Sequence, residues 1–522
     1  MLASPKPASA VGIAAGSQHG QKVPVAPASA VGIAAGSQQG IGAPKAPVWE
    51  RFSLPGKSPI EIFKQFKHIS RQCFILESLE DTERWGRWTF LGFEPKLEFS
   101  CLDGVVHIKN GVDIEIPCAD PARYIEKIIA ENRSAPASVL YPGEDLPEFT
   151  GGLVGYFSFD FVKYSAPSLK LDACDNGHFK DCDLMLFDKI IAWDNLKSCL
   201  YIIVNIKTDS FEENYQQALT EIDRIARVIE TGREAEIAPL KITTALCELF
   251  SKERYSAMVE RAKRYIYEGD IFQVVLANQL EACAEGSIFE IYRILRESNP
   301  SPYMFYFSSD DIEIAGASPE TLVRVQEGSV FTFPLAGTRR RGKTGEEDAA
   351  LEKELLSDPK ELAEHNMLVD LGRNDIGKVS EFGSVEVEKY LSIERFSHVM
   401  HIGSTVRGAL RADKSAVDAI SAVLPAGTLS GAPKIRAIEI INELEGYKRG
   451  IYGGAIGYIG FSGGMDTCIS IRIAYKKAGK VYVRSGAGIV ADSNPETEYE
   501  ECRNKMKAVI NALSACTEPR DL

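Results

Sequence analysis

The sequence predicts an α+β fold of two lobes, with antiparallel sheets inside and helices on the outside. Three observations predict it. Strand-like runs follow one another through short turns instead of alternating one by one with helices. The long amphipathic helices stand apart from those runs and carry their own start and stop signals. No dinucleotide-binding fingerprint and no P-loop appears, so a doubly wound parallel sheet has no support. A length of 522 residues suits a core divided between two lobes, and 45% apolar with 25% charged residues is a globular make-up.

The elements follow in chain order. Residues 1–47 form a leader in which PASAVGIAAGSQHG at 7–20 returns as PASAVGIAAGSQQG at 27–40. It holds no Asp or Glu and too few large apolar residues to offset the entropy of ordering, so it reads as disordered. Two copies are too few for a solenoid. The leader lacks the charged start and apolar core of a secretory signal, and it has no Arg as a transit peptide would, so we expect a duplicated appendage. A first lobe spans 48–235. In it, ESLEDTERWGRWTFLGFEP and VHIKNGVDIEIP predict antiparallel strands with an Asn-Gly hairpin at 110–111. GGLVGYFSFDFVKY reads as a Gly-rich strand, and LMLFDKIIAWDNLKSCLYIIVNI as two strands around an Asp-Asn turn. FEENYQQALTEIDRIARVIETG predicts an amphipathic helix ended by Gly232. A polar, structure-poor link runs near 233–248. A second lobe, 245–518, opens with the helix SKERYSAMVERAKRYIYEGD. Its strands are QVVLANQLEA, MFYFSS, SVFTFPLAGT, GGAIGYIGFS, TCISIRIAYK and KVYVRSG.

Composition excludes several classes. A formal net charge of −14, without a basic stripe, argues against a nucleic-acid partner. No apolar run reaches the length of a membrane span. Eleven scattered cysteines with no CxxC suit reduced thiols and a cytoplasmic location.

The last third concentrates the chemistry. In DPKELAEHNMLVDLGRND, Asp358 can cap a helix, Pro359 suits its first position, and Glu361 completes a capping-box pattern. Glu364, Leu368 and Leu371 then share one face, and a carboxylate on an apolar stripe is costly unless paired. In the helix started by Asn494 and Pro495, Glu498, Glu501 and Lys505 line up. Two carboxylates one turn apart repel, so a cation held between the helices accounts for both features, and oxygen-only ligands suggest Mg²⁺. The plainer alternative is a Glu501–Lys505 surface pair beside a partly exposed Glu364. In the strand 467–474, Arg472 shares a face with the small residues Cys468, Ser470 and Ala474, which leaves a fork of donors for a ligand carboxylate. Gly486, Ala487 and Gly488 then read as a turn whose backbone N–H groups can approach an anion.

The runs PLAGTRRRG, GASPE, ELAEHNMLVDLGRNDIGKVS, FSHVMHI, GTLSGAPK, YGGAIGYIGF, DTCISIRIA and SGAGIVADSNPETEYEECRNK resemble the chorismate-utilising enzymes, over roughly 48–515. Within them the chain is most similar to the large subunits of anthranilate synthases. The resemblance implies a two-lobed chorismate-binding fold with orthogonally packed antiparallel sheets. It implies chorismate as substrate and Mg²⁺ held by Glu364 and Glu501, with Glu498 adjoining. Tyr452 and Arg472 would hold the pyruvyl carboxylate, helped by Gly486, Ala487 and Gly488. Gly337, Thr338 and Lys505 would also contact substrate. Glu320 of GASPE is implied as general acid, His401 of VMHI as the group serving pyruvate loss, and Gln273 and Thr428 as further members of the catalytic set.

Subfamily features follow from the same resemblance. Isochorismate and salicylate synthases carry a water-activating Lys where this chain has Gln273, which cannot titrate. Aminodeoxychorismate synthases often carry a nucleophilic Lys where this chain has Ala336. CFILESLED and NPSPYM resemble a tryptophan feedback site, implying Glu77, Ser78, Asn299, Pro302, Tyr303 and Met304. LANQ at 276–279 departs from the family's SRR. No glutamine-hydrolysing domain is visible, so ammonia is expected from a separate glutamine amidotransferase small subunit. Two alternatives stay open: an aminodeoxychorismate synthase large subunit, and a non-catalytic subunit that binds chorismate or tryptophan.

Overall fold

In the computed structural model the described residues are 43–54, 56–79, 86–396 and 399–517. Most of the leader therefore lies outside them. The first strand, Lys45–Phe52, begins inside the stretch expected to be unstructured, with Lys45 and Ala46 buried.

Two antiparallel sheets form the centre of the molecule. The 13-stranded sheet runs, in spatial order, Lys45–Phe52, Cys199–Lys207, Lys189–Asp194, Trp88–Phe93, Cys73–Glu77, Tyr303–Ser308, Ile312–Ser318, Ile473–Lys477, Lys480–Ile489, Gln273–Glu285 and Lys241–Ile242, with two short strands beside Gln273–Glu285. The 12-stranded sheet runs Leu335–Arg340, Val399–Ala409, Ser329–Thr332, Thr321–Gln326, Met465–Ile469, Ala455–Gly460, Gly152–Phe157, Cys182–Phe187, Leu97–Leu102, Val105–Lys109 and Asp113–Pro117, with Glu386–Arg395 beside Val399–Ala409. Each sheet takes strands from both halves of the chain. Cys73–Glu77 pairs with Tyr303–Ser308, and Gly152–Phe157 pairs with Ala455–Gly460. The sequence boundary near 236–244 is therefore not a boundary in the hydrogen-bonded sheets.

Between the sheets lies an aromatic and β-branched core. Phe74 meets Phe187 edge-on, and Tyr156 meets Phe307. Helices cover the outer faces. Phe211–Thr231 buries Ala218, Ile222, Ile225 and Ile229, at three- and four-residue spacing, and packs against Cys199–Lys207. Gly232 ends it as the sequence indicates. Lys252–Tyr267 starts at Ser251, whose side chain accepts from the Arg254 N–H. The Gly152–Phe157 strand is buried along its whole length. A Cβ at Gly155 would lie 1.9 Å from the Asp183 carbonyl oxygen, so only glycine lets the backbones meet there.

Several local expectations are corrected. The Asn-Gly hairpin has a three-residue loop, Lys109 pairing with Asp113 and Gly111 taking a φ of 71°. The run from Leu184 holds three strands, because the chain bends at Asp188 and passes from the second sheet to the first. SVFTFPLAGT divides into Ser329–Thr332 and Leu335–Arg340, both paired with Val399–Ala409. The link near 233–248 holds two short strands, Lys241–Ile242 and Cys247–Glu248, on Gln273–Glu285.

Candidate active site

Two neighbouring strands change sheets at the same place. Ile312–Ser318 belongs to the first sheet, turns through Pro319 and Glu320, and continues as Thr321–Gln326 in the second. Met465–Ile469 makes the opposite crossing through Ser470–Arg472 into Ile473–Lys477. The two corners are stitched together. The Ile469 N–H donates to Glu320 O at 3.0 Å, the Ala317 N–H to Arg472 O at 3.2 Å, and Ser318 Oγ to Ile469 O at 2.7 Å. The backbones of Glu320 and Arg472 thus come to one place because two strands bend side by side. Arg472 does not lie on an extended strand face with Cys468, Ser470 and Ala474, as the sequence suggested. Its φ is 54°, at the bend itself. Burial lowers its pKa, with Tyr452 opposing that shift, and no carboxylate pairs with it among the described residues. A desolvated guanidinium of this kind is a receptor for an anion.

Glu320 faces the turn Gly427–Leu429, where Thr428 Oγ1 donates to Glu320 Oε1 at 3.1 Å. Burial pushes the Glu320 carboxyl up to about 7, against smaller opposing effects of Thr428 and Lys505. A cavity of about 40 Å³ lies beside it, lined also by Thr428, Leu368, Leu371 and Asp375, with room for a water or two. Across the site, His401 Nδ1 is 2.8 Å from Gly337 O and 3.1 Å from Thr338 Oγ1. A carbonyl only accepts, so Nδ1 carries the proton and Nε2 is left free to accept one. Burial lowers the His401 pKa and keeps the ring neutral, Gly337 and Glu361 pulling the other way and Arg472 adding to the lowering.

Gly486, Ala487 and Gly488 are not a turn. They lie within the strand Lys480–Ile489, opposite Ala277, Leu276 and Val275. Their pairing with Ile473–Lys477 has already ended, so one backbone edge there is left open. The glycines serve close approach. A Cβ on Gly486 would be 3.1 Å from the Tyr452 hydroxyl, and one on Gly488 would be 2.6 Å from Gln273 Nε2. Tyr452 and Gln273 are both buried, and Gln273 Oε1 has no hydrogen-bond partner among the described residues.

The two acidic helices flank this centre. Asp358 caps Pro359–Gly377 by accepting from the Lys360 and Glu361 N–H groups. Glu361 does not complete a capping box; its carboxylate takes Arg339 instead. Asn494 caps Pro495–Thr517 through the Glu496 and Thr497 N–H groups. Burial raises the Glu364 carboxyl, and Glu361 and Glu501 repel it further. Burial likewise raises Glu498, with Ser493 opposing and Glu501 adding to it. Lys505 bonds Glu501 at 2.7 Å and Gly486 O at 3.2 Å. No group of three acidic, His or Cys side chains converges as a preformed cage among the described residues. The donor chemistry still fits a hard cation, because the Glu364 and Glu498 carboxyls are both raised by burial and both repelled by Glu501.

A second set of expected residues meets elsewhere. Glu77 pairs with Met304 across adjacent strands, so CFILES and NPSPYM are neighbours in one sheet. Glu77 is not free for a ligand ammonium: Arg296 Nε donates to it at 2.7 Å, and the Tyr292 hydroxyl also bonds it. Ser78 Oγ is buried and has no hydrogen-bond partner among the described residues. Asn299 reaches Ser301, and the Leu79 N–H donates to Ser301 O beside Pro302. Tyr303 OH donates to Asp466 at 2.7 Å and lies 2.8 Å from Thr321 Oγ1, next to Glu320.

The sequence marks Glu361 only as a partner in the helix cap, whereas it lies against Gly337 and His401. The sequence did not single out the buried trio Glu445, Arg449 and Arg484. In sequence, Glu445 and Arg449 read as an ordinary i,i+4 pair at a helix end.

The profile of the chorismate binding enzyme family matches residues 71–511. Anthranilate synthase component 1 of Acetivibrio thermocellus is 46% identical over 474 residues, 89% of this chain and 94% of that protein. The crystal structure of anthranilate synthase component I from Streptococcus pneumoniae TIGR4 superposes with a TM-score of 0.69 at 36% identity, covering 83% of this chain and 93% of that one. The menaquinone-specific isochorismate synthase MenF of Escherichia coli, at 20% identity and a TM-score of 0.65 over 91% of this chain and 96% of its own, shares the fold. The chain belongs to the chorismate-binding enzymes and, within them, to the anthranilate synthase component 1 family.

Proposed function

We propose that the chain makes anthranilate and pyruvate from chorismate and ammonia at the corner formed by Glu320 and Arg472. The observation that carries this is that two bonded strand corners present a partly buried guanidinium with no carboxylate partner among the described residues and a partly buried carboxyl whose pKa is raised to about 7. Arg472 and the Tyr452 hydroxyl hold the pyruvyl carboxylate, beside the open backbone edge at 486–488. Ammonia attacks the ring with its lone pair as the allylic hydroxyl departs. Glu320 gives its proton to that hydroxyl, which leaves as water, and the new amine loses a proton. In the second step His401 Nε2 takes the ring proton, the ring aromatises, and the ether C–O bond breaks to release enolpyruvate, which becomes pyruvate. Gln273 has no titrating group to activate water, which favours amination over hydration.

Glu364 and Glu501, with Glu498 adjoining, would hold Mg²⁺, and a bound Mg²⁺ supplies charge neutralisation for the ring carboxylate. We further read a glutamine amidotransferase small subunit as the source of ammonia, and tryptophan as an inhibitor bound near Ser78. Eleven free cysteines fit a reducing, cytoplasmic compartment. No helix among the described residues is long and apolar enough to cross a membrane.

The test is turnover of chorismate with Mg²⁺ and an ammonium salt, read by anthranilate fluorescence, for the wild type and Glu320→Gln. The wild type should form anthranilate, with activity falling as the pH rises through about 7, because the acid must be protonated to act. Glu320→Gln should lose roughly a hundredfold to ten-thousandfold in kcat. Aminodeoxychorismate as the end product, or a fully active Glu320→Gln, overturns the reading.

A further inference from the structure

Behind the site lies a buried charge cluster that the reaction does not use directly. Glu445, Arg449 and Arg484 are each at most 2% exposed. Glu445 ends the helix Lys434–Glu445, Arg449 lies three residues before Tyr452, and Arg484 lies two residues before Gly486. Two guanidiniums share one carboxylate, an expensive arrangement for packing alone, since apolar side chains of similar volume often do as well or better.

The hydrogen bonds show where the cluster acts. Arg449 Nη1 donates to Leu429 O at 2.6 Å, and Nη2 donates to Val275 O at 2.7 Å. The remaining donors of its fork hold Glu445, through Nε at 3.1 Å and through Nη2. Glu445 in turn accepts from the Ala277 N–H at 2.9 Å and from Arg484 Nη2 at 2.6 Å. The Val275 N–H already donates to Ser430 O at 2.9 Å, and the planar guanidinium adds a side-chain bridge from Leu429 O, within the Gly427–Leu429 turn, to Val275 O on the strand that carries Gln273. Leu429 directly follows Thr428, whose hydroxyl is hydrogen-bonded to Glu320. The Arg449 guanidinium also lies 4.6 Å from the Phe159 ring centre and 5.9 Å from that of Tyr452, so its plane is fixed on a third side.

We infer that Arg449 is a positioning residue that holds the Thr428 turn against Glu320, with Glu445 orienting its fork. The inference rests on the assignment of Glu320 as the acid. A lysine here keeps the charge but cannot bridge two carbonyls and a carboxylate in one plane. Without the clip, Thr428 leaves Glu320, and the carboxyl loses a hydrogen bond that stabilises its charged form. The charged groups facing Glu320 from the packed elements, Lys505 and, across the small cavity, Asp375, are untouched by the change.

The experiment compares Arg449→Lys, Arg449→Met and Arg484→Met with Thr428→Val and Glu320→Gln, using the full chain, chorismate, Mg²⁺ and an ammonium salt. Arg449→Lys should lower kcat by about tenfold to a hundredfold. KM for chorismate should stay within about twofold, because the substrate contacts remain. The alkaline limb of the kcat profile should move to higher pH, as it does in Thr428→Val. Arg449→Met, which leaves Glu445 paired with Arg484, should do the same and serves if the lysine variant does not fold. Arg484→Met should lower the melting temperature and leave the limb in place, because Arg484 bonds Lys448 O rather than the turn. Wild-type kcat in the folded Arg449 variants, or a lowered kcat with an unmoved limb, overturns the positioning role. A fully active Glu320→Gln overturns the acid assignment beneath it, whatever the Arg449 variants show.

Discussion

Glu320 takes its chemistry from its surroundings, and so does His401. Both sit where the backbone has been bent or paired to expose one atom. With Nδ1 tied to Gly337 O, His401 presents Nε2 to the substrate. His401→Met should therefore still aminate chorismate and should accumulate the aminated intermediate, seen by chromatography as a new peak with anthranilate formation lost. Full anthranilate production with no such peak would exclude the assigned step. The identity of these residues was legible in the motifs, and the helix caps were legible in local spacing. The conformation of Arg472 was not. Period-two alternation describes a strand within one sheet, whereas Arg472 sits where the strand leaves one sheet for another. Nor could sequence separate the buried Arg449 from a solvated one, because the i,i+4 pattern is the same in both places.

At the scale of elements, the two acidic helices were foreseen with their starts, and the structure sets Glu364 within the electrostatic reach of Glu501. If they share Mg²⁺, adding Mg²⁺ should raise the melting temperature of the wild type and not of Glu364→Gln or Glu501→Gln. In the same variants the Mg²⁺ needed for half-maximal rate should rise roughly tenfold or more. An equal thermal response in all three proteins would remove the assignment. The Gly486–Gly488 segment was legible as a place of close approach but not as a strand. A glycine pattern states that a side chain is unwelcome and is silent on whether the cause is a turn or a packed neighbour. Gly155 belongs to the second kind. Gly155→Ala should cost about 3 kcal/mol or more in urea unfolding, since the Asp183 carbonyl has nowhere to retreat within the sheet. A loss below about 1 kcal/mol would show that the strands can separate.

At the scale of the molecule, the α+β class and the outer helices followed from pattern. The sharing of sheets did not, because strand pairing between residues more than 200 apart leaves no periodic trace. This bears on regulation. Ser78 and the NPSPYM segment are sheet neighbours, so a ligand between them would bind at the end of adjacent strands and not in a cleft between separate lobes. Tyr303 leads from there to Thr321 beside Glu320, a short path through packed side chains. Tryptophan should inhibit the wild type, and Ser78→Leu should keep most activity while raising the half-inhibitory concentration roughly tenfold, equal to about 1.4 kcal/mol of lost binding. Inhibition assays showing no effect of millimolar tryptophan on the wild type would end that reading.

The same interleaving has a cost during synthesis. Cys73–Glu77 and Gly152–Phe157 each leave the ribosome long before the strands that pair with them, Tyr303–Ser308 and Ala455–Gly460. Until then each exposes a bare row of backbone donors and acceptors on an apolar ribbon, the kind of edge that recruits other chains. The first 235 residues cannot complete either sheet by themselves. A truncated chain, or one made faster than its second half can arrive, would be client material for holding chaperones rather than a folded half-enzyme.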